Sequence, residues 1–330
     1  MSDSLSQNIL ATICYYDVLD YPLTVFELWK YLISDPAYAS SSAKAAVDKN
    51  ATASKQEKKK ILIIDIINEL ESEALKKQIE TFRGYYFLPG RKDLVAQRIE
   101  RNKISEEKYK IVRRVIKLLR FVPFIRMIAV TGRMAMKNAE EKSDLDLMII
   151  LEKGHIFTGR FLTVAFLSVL GIRRHGEKIK NKICLNHFLS TDFSVSIKDL
   201  FSAHEYVFMV PIFGLNFYHE FLEKNKWIEE IRPNFSDRLA NMKEIRDSQF
   251  SKTVRENLEK IFAPRIIENN LREFQTAKIK ANPKTKKIGG VIIYADEELA
   301  FWPNFEKQGP RVFEEFKARV EKIAEATINY

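Results

Sequence analysis

Two aspartates near the middle of the chain have the spacing of a metal site. Asp144 and Asp146 begin segment 144–151, which alternates polar and apolar residues and then becomes wholly apolar, as a buried strand does. Side chains two residues apart on a strand point to the same face. Two carboxylates held side by side repel each other unless a cation lies between them. Because carboxylate oxygens suit hard divalent ions, we expect Asp144 and Asp146 to bind Mg²⁺ or Mn²⁺.

A glycine turn precedes this pair. Thr131, Gly132 and Arg133 follow the apolar run 125–130, and a polar loop then leads to Ser143. Such a turn offers backbone N–H groups to an anion, so we expect these three residues to bind the phosphates of a nucleotide. Ser143 is expected to position the start of the strand. A phosphate-binding turn beside a metal site predicts nucleotidyl transfer, in which the metal polarises the α-phosphate and activates a hydroxyl.

This combination resembles the signature of the DNA polymerase β-type nucleotidyltransferase superfamily. That signature is an apolar residue, Gly, then Gly or Ser, a variable spacer and Asp-apolar-Asp on a strand, which Gly132 and the string SDLDL at 143–147 match. The whole chain is similar to a group of predicted nucleotidyltransferases with an N-terminal winged-helix-like segment. The closer likeness lies in the stretches YYDVLDYPLT, GYYFLPGR, SDLDLMII, KNKICLNHFLS and HEYVFMVPIFG.

The resemblance implies an α/β (α+β) fold, with a nucleotidyltransferase core built on a small mixed sheet and flanking helices. It also implies an enzyme that transfers a nucleoside monophosphate from an NTP to a hydroxyl acceptor. The superfamily places a third carboxylate on a neighbouring strand. In the strand-like run KICLNHFL that position falls on Asn186 or, on the other face, on His187. Asparagine can coordinate a cation but adds no charge, which lowers metal affinity.

A second departure from the superfamily pattern supports another interpretation. Arg133 stands where the superfamily has Gly or Ser, so it either crowds the turn or directs its guanidinium at the phosphates. The alternative is therefore a catalytically weakened or inactive nucleotidyltransferase-like protein that acts as a nucleic-acid or partner-binding module.

The rest of the pattern predicts three segments. Residues 1–95 have the element order of a winged helix, with Thr24 and Glu27 spaced as a capping box and a hairpin in 79–91. Within them, residues 35–60 are rich in Ala, Ser and Lys and are predicted to be disordered. The nucleotidyltransferase core is expected over 96–232. Residues 233–330 are expected to form a mostly helical C-terminal domain with one short strand at 290–294.

Charge and hydropathy limit the partners. Lys and Arg number 54 against 44 Asp and Glu, and the net charge of +10 favours an anionic partner. We expect that partner to be a nucleotide, with RNA or another anionic acceptor. The most apolar stretch, 156–172, is shorter than the ~20 residues of a membrane span and contains Arg160. With no signal-like start, and with Cys14 and Cys184 far apart, we expect a cytoplasmic protein without a membrane span.

Overall fold

The computed structural model describes residues 2–34, 61–235, 244–286 and 291–302, together with residues 315, 318 and 319. These residues form an α+β fold in which helices surround a mixed sheet. The disorder predicted for residues 35–60 lies outside the described residues.

The N-terminal segment combines short helices with a three-stranded antiparallel sheet. Its elements are α1 (Ser2–Val18), β1 (Leu23–Thr24), α2 (Val25–Lys30), α3 (Ile63–Leu70), α4 (Glu73–Lys76), β2 (Glu80–Phe82) and β3 (Tyr85–Phe87). Strand β3 lies between β1 and β2. The predicted hairpin and capping box are both confirmed. The Thr24 hydroxyl accepts a hydrogen bond from the Glu27 N–H at 3.3 Å, and the Glu27 carboxylate accepts one from the Thr24 N–H at 2.9 Å.

The central segment supplies four strands and the helices that flank them. Its elements are α5 (Asp93–Leu119), β4 (Ile125–Val130), α6 (Gly132–Ala135), β5 (Leu145–Leu151), α7 (Ile156–Val169), β6 (Ile183–Ser190), α8 (Leu200–Phe208), β7 (Val210–Phe213), α9 (Leu215–Lys224) and α10 (Trp227–Ile231). β5 and β6 are parallel, as a crossover through α7 requires. The apolar runs that predicted β4 and β5 are almost fully buried.

The C-terminal segment extends the same sheet. It contains α11 (Gln249–Phe262), α12 (Arg265–Ala281), β8 (Val291–Tyr294) and β9 (Glu298–Trp302). We expected one strand in a mostly helical segment; its described residues contain two, and β9 pairs with β6 to give the order β7-β4-β5-β6-β9-β8. Strand β9 has only five residues and no alternation of polar and apolar side chains, so its sequence pattern alone does not distinguish it from a loop.

Helix α7 corresponds to the most apolar stretch of the sequence. It has 14 residues and packs against α12, whose Glu268 carboxylate accepts hydrogen bonds from the Phe157 and Thr158 N–H groups. Within the described ranges, no helix has both the length and the apolar character to span a bilayer.

Candidate active site

A cleft of about 510 Å³ opens where β4 ends and β5 begins. One wall is formed by α6 and α8, and another by the loop that follows α1. The residues predicted from the sequence all line this cleft: Thr131, Gly132, Arg133, Ser143, Asp144, Asp146 and Asn186. The structure therefore brings together the glycine turn and the aspartate pair.

The two aspartates converge with a cysteine. One ligand atom each of Asp144, Asp146 and Cys184 lie within 4.8 Å of one another. Cys184 is placed there by the sheet, because it pairs with Asp146 in the parallel register of β5 and β6. Sequence spacing alone gave Cys184 no role at a metal site, since it lies 38 residues after Asp146.

Asn186 lies beside the aspartates at an irregularity in β6. Leu147 pairs with Leu185, whereas Met148 pairs with His187, so Asn186 is an extra residue of the kind that forms a β-bulge. The Asn186 side-chain amide donates a hydrogen bond to Asp146 Oδ1 at 3.3 Å. The prediction that Asn186 shares a face with Asp146 is thus confirmed, and β6 contributes a neutral side chain there.

A third carboxylate comes from a helix that the sequence analysis did not single out. Glu205, in α8, lines the cleft and accepts a hydrogen bond from the Gly132 N–H at 3.2 Å. Its burial raises its pKa to about 7, although the Gly132 hydrogen bond opposes this rise. The signal that could have revealed it is a single acidic residue in the mostly apolar helix LFSAHEYVF.

Asp146 has a raised affinity for protons in the absence of a cation. Burial, the charge of Asp144 and the charge of Glu205 together raise its pKa to about 7. Hydrogen bonding with Cys184 and the charge of Arg174 only partly offset this rise. The cluster therefore carries more negative charge than its protein partners neutralise, which is the condition that a bound cation relieves.

Gly132 is required by both its backbone conformation and its surroundings. Its φ is +64°, and a Cβ atom there would lie 2.9 Å from Asp146 Oδ2. The neighbouring Thr131 N–H donates to the Asp146 carbonyl at 3.2 Å, which joins the turn to β5. The Thr131 and Gly132 N–H groups, two of those that we expected to bind phosphate, thus have protein partners and hold the turn against Asp146 and Glu205.

The loop between the turn and the aspartates is fixed from several sides. The Arg133 guanidinium pairs with Glu140 at 2.5 Å, and the Ser143 hydroxyl accepts a hydrogen bond from the Glu140 N–H at 3.0 Å. Lys108, a buried residue of α5, donates to the carbonyls of Ser143 at 2.8 Å and Glu141 at 3.2 Å. Lys108 is therefore a positioning residue for the approach to Asp144, and no local pattern in the sequence marks it.

Arg174 provides the cation nearest to the aspartate pair. Its Nη1 lies 2.5 Å from Asp144 Oδ2 and 3.7 Å from Cys184 Sγ. Burial, followed by the charges of Asp146 and Asp144, raises the pKa of the Cys184 thiol well above its usual value. In the metal-free protein the Cys184 thiol is therefore protonated, and the oxygen atoms of the aspartates are the donors that a hard metal ion prefers.

The N-terminal segment reaches into this site. Val18, Leu19 and Asp20 line the cleft, and the Leu19 carbonyl accepts a hydrogen bond from the buried Asn138 side chain at 3.0 Å. Asp20 also forms an ion pair with Arg91 at 2.7 Å. The segment therefore forms part of the cleft wall.

Comparisons with protein-family models, with curated proteins and with solved structures find no match to this chain. The geometry of the site and the motif in the sequence are therefore the basis for its function.

Proposed function

We propose that this protein is a metal-dependent nucleotidyltransferase that transfers a nucleoside monophosphate from an NTP to a hydroxyl acceptor. The observation that carries the proposal is the convergence of Asp144, Asp146 and Glu205 around Gly132 in a cleft of about 510 Å³. A cleft of this volume is within the range of small-molecule sites, roughly 300–1,000 Å³.

The donor set fits Mg²⁺ or Mn²⁺. Asp144 and Asp146 would hold the ion, which would supply positive charge to the α-phosphate and lower the pKa of the attacking hydroxyl. Glu205 adds a third negative charge and holds the Gly132 turn through its backbone N–H. The neutral Asn186 amide orients Asp146, and the half-exposed Arg133 borders the space for the phosphates.

We further infer that residues 1–95 form a winged-helix module. The order of the described elements, α1-β1-α2-α3-α4-β2-β3, with β3 between β1 and β2 in the sheet, supports this inference. Helix α3 carries the acidic residues Asp65 and Glu69 and the exposed Ile64 and Ile67, which are poorly suited to reading base edges. We therefore assign the module to the cleft wall and not to sequence-specific DNA binding.

A transfer assay tests the proposal. The protein is incubated with each of the four α-labelled NTPs, with Mg²⁺ or Mn²⁺, in the presence of RNA, and label is followed on the RNA and on the protein itself. We expect metal-dependent transfer that Asp144→Asn abolishes. Stabilisation by an oligonucleotide alone, with no transfer and no metal-dependent nucleotide binding, would instead support the binding-module alternative.

A further inference from the structure

The segment between α7 and β6 directs an arginine at the aspartate pair. The Arg174 N–H donates to the Ile183 carbonyl at 2.9 Å, and Arg173 forms an isolated bridge with Ile183. The backbone of Arg174 is therefore fixed beside the first residue of β6. Its side chain extends from there to Asp144 and remains 42% exposed, so it has space to change rotamer.

Arg174 occupies one oxygen of the carboxylate that a metal ion would share with Asp146. Asp144 Oδ2 accepts a charge-assisted hydrogen bond from the guanidinium at 2.5 Å. A cation that binds both aspartates competes with the guanidinium for the negative charge of Asp144, and the hydrogen bond between them is among the stronger ones in proteins. While the Arg174 guanidinium is paired with Asp144, its positive charge offsets part of the negative charge of the metal site.

A guanidinium released from Asp144 would need another anionic partner. Its planar fork of donors matches phosphate oxygens as well as carboxylates. In the proposed reaction, an NTP brings a triphosphate to the cleft that Asp144 lines. The triphosphate is therefore a suitable second partner for Arg174.

We propose that Arg174 exchanges Asp144 for the triphosphate when nucleotide binds, so that metal and nucleotide bind this site cooperatively. The inference rests on the proposed function and adds a role for one residue. Metal alone has to displace the guanidinium without compensation, whereas metal with nucleotide leaves Arg174 paired. The coupling is reciprocal, because each ligand raises the affinity for the other by the same factor.

The adjacent arginine provides a matched control. Arg173 lines a different surface cavity, together with His175, Lys178 and Lys182. Replacing it removes the same charge from the same segment without removing the hydrogen bond to Asp144. If the loss of one positive charge near the site is enough to change metal or nucleotide binding, Arg173→Ala and Arg174→Ala should therefore show the same change.

The experiment measures Mn²⁺ binding by calorimetry with and without a non-hydrolysable NTP. In the parent we expect the nucleotide to tighten Mn²⁺ binding about tenfold or more. In Arg174→Ala we expect Mn²⁺ alone to bind about tenfold more tightly than in the parent, and the nucleotide to bind about tenfold more weakly. Arg173→Ala should keep the parent's coupling, and Arg174→Lys should keep only part of it.

Opposite changes in metal and nucleotide affinity distinguish this role from a structural one, which would weaken both. Loss of Mn²⁺ binding in Asp144→Asn would show that the ion binds at this site. If, in that case, Arg174→Ala binds Mn²⁺ alone no more tightly than the parent does, the inference is overturned. If neither the parent nor Arg174→Ala binds Mn²⁺ with or without nucleotide, the proposed function itself fails. Should Arg174→Ala not fold, Arg174→Gln gives the same comparison with a side chain of similar length.

Discussion

Two acidic side chains on the central sheet have opposite environments. Glu298, on β9, is buried, yet it accepts hydrogen bonds from the His187 ring at 2.9 Å and the Ser196 N–H at 2.8 Å. Burial alone would raise the pKa of Glu298, but these partners lower it below its usual value. Asp146, on β5, faces two other carboxylates, and its pKa is raised to about 7.

For these two carboxylates, the number of hydrogen-bond donors and positive charges around the group differs more than its burial does. That difference indicates whether the carboxylate stabilises the fold or is suited to binding a ligand. Glu298 resembles Glu268, whose carboxylate accepts from the Phe157 N–H and from the N–H and hydroxyl of Thr158. Both side chains link segments that are distant in sequence, and both carboxylates accept their hydrogen bonds from donors within the protein. Asp146 lacks sufficient positive or donating partners, so its environment suits a ligand that supplies positive charge.

The largest effect on stability is expected at the satisfied carboxylate. Glu298→Ala leaves the His187 ring and the Ser196 N–H without their buried partner, so we expect the free energy of unfolding to fall by about 3 kcal/mol. Urea denaturation measures this loss. The exposed neighbour Glu297 provides the control, because Glu297→Ala should change stability by less than about 0.5 kcal/mol. Equal effects of the two variants would contradict the comparison.

A somewhat smaller loss is expected when the loop before Asp144 is released. Lys108→Met removes the ammonium that donates to Ser143, Glu141 and Asn181, and we expect a loss of about 2 kcal/mol. Metal-dependent nucleotide binding should weaken as well, because Asp144 loses its positioning. Lys110→Ala, which removes only an exposed ion pair, should leave both properties unchanged. Intact nucleotide binding in Lys108→Met would show that the loop is positioned by other contacts.

The contact between the turn and the aspartate can be separated from backbone strain. Gly132→Ala forces a side chain into left-handed backbone and places Cβ 2.9 Å from Asp146 Oδ2, whereas Gly171→Ala has the same φ of +64° and no atom within 4 Å. We expect each to lose about 1 kcal/mol of stability from backbone strain. Only Gly132→Ala should also lose metal-dependent nucleotide binding. Equal nucleotide binding in the two variants would show that Asp146 tolerates the displacement.

A neutral side chain in place of Asp146 is expected to give a pH-dependent gain in stability. In the metal-free protein the pKa of Asp146 is raised, so ionisation costs stability as the pH rises from about 4 to about 7. Asp146→Asn removes that cost. With a chelator present, its melting temperature should match that of the parent near pH 4 and exceed it by a few degrees at pH 7. A constant difference across this range would mean that Asp146 does not titrate as the cluster requires.

The local parts of the site could be predicted from the sequence. Gly132, Asp144 and Asp146 belong to one turn and one strand, where spacing determines orientation. Glu205 and Lys108 could not be found in this way, because helix packing brings them to the site from distant segments.

The same limit applies to the fold. Alternation and apolar runs indicated β4, β5 and β6, and turn residues indicated the β2–β3 hairpin. The pairing of β9 with β6 depends on contacts across more than a hundred residues, including the bond between Glu298 and His187. The sequence of a five-residue strand carries little information about which distant strand it pairs with.

The central claim is that the aspartate pair binds a metal ion together with a nucleotide. The most direct measurement is NTP binding by calorimetry, with and without Mn²⁺, in the parent, Asp144→Asn and Asp146→Asn, alongside their metal-free melting temperatures. We predict that both variants lose metal-dependent binding while their melting temperatures hold or rise, since repulsion within the cluster is relieved. Binding of the NTP–Mn²⁺ complex by both variants at the parent's affinity would contradict the claim.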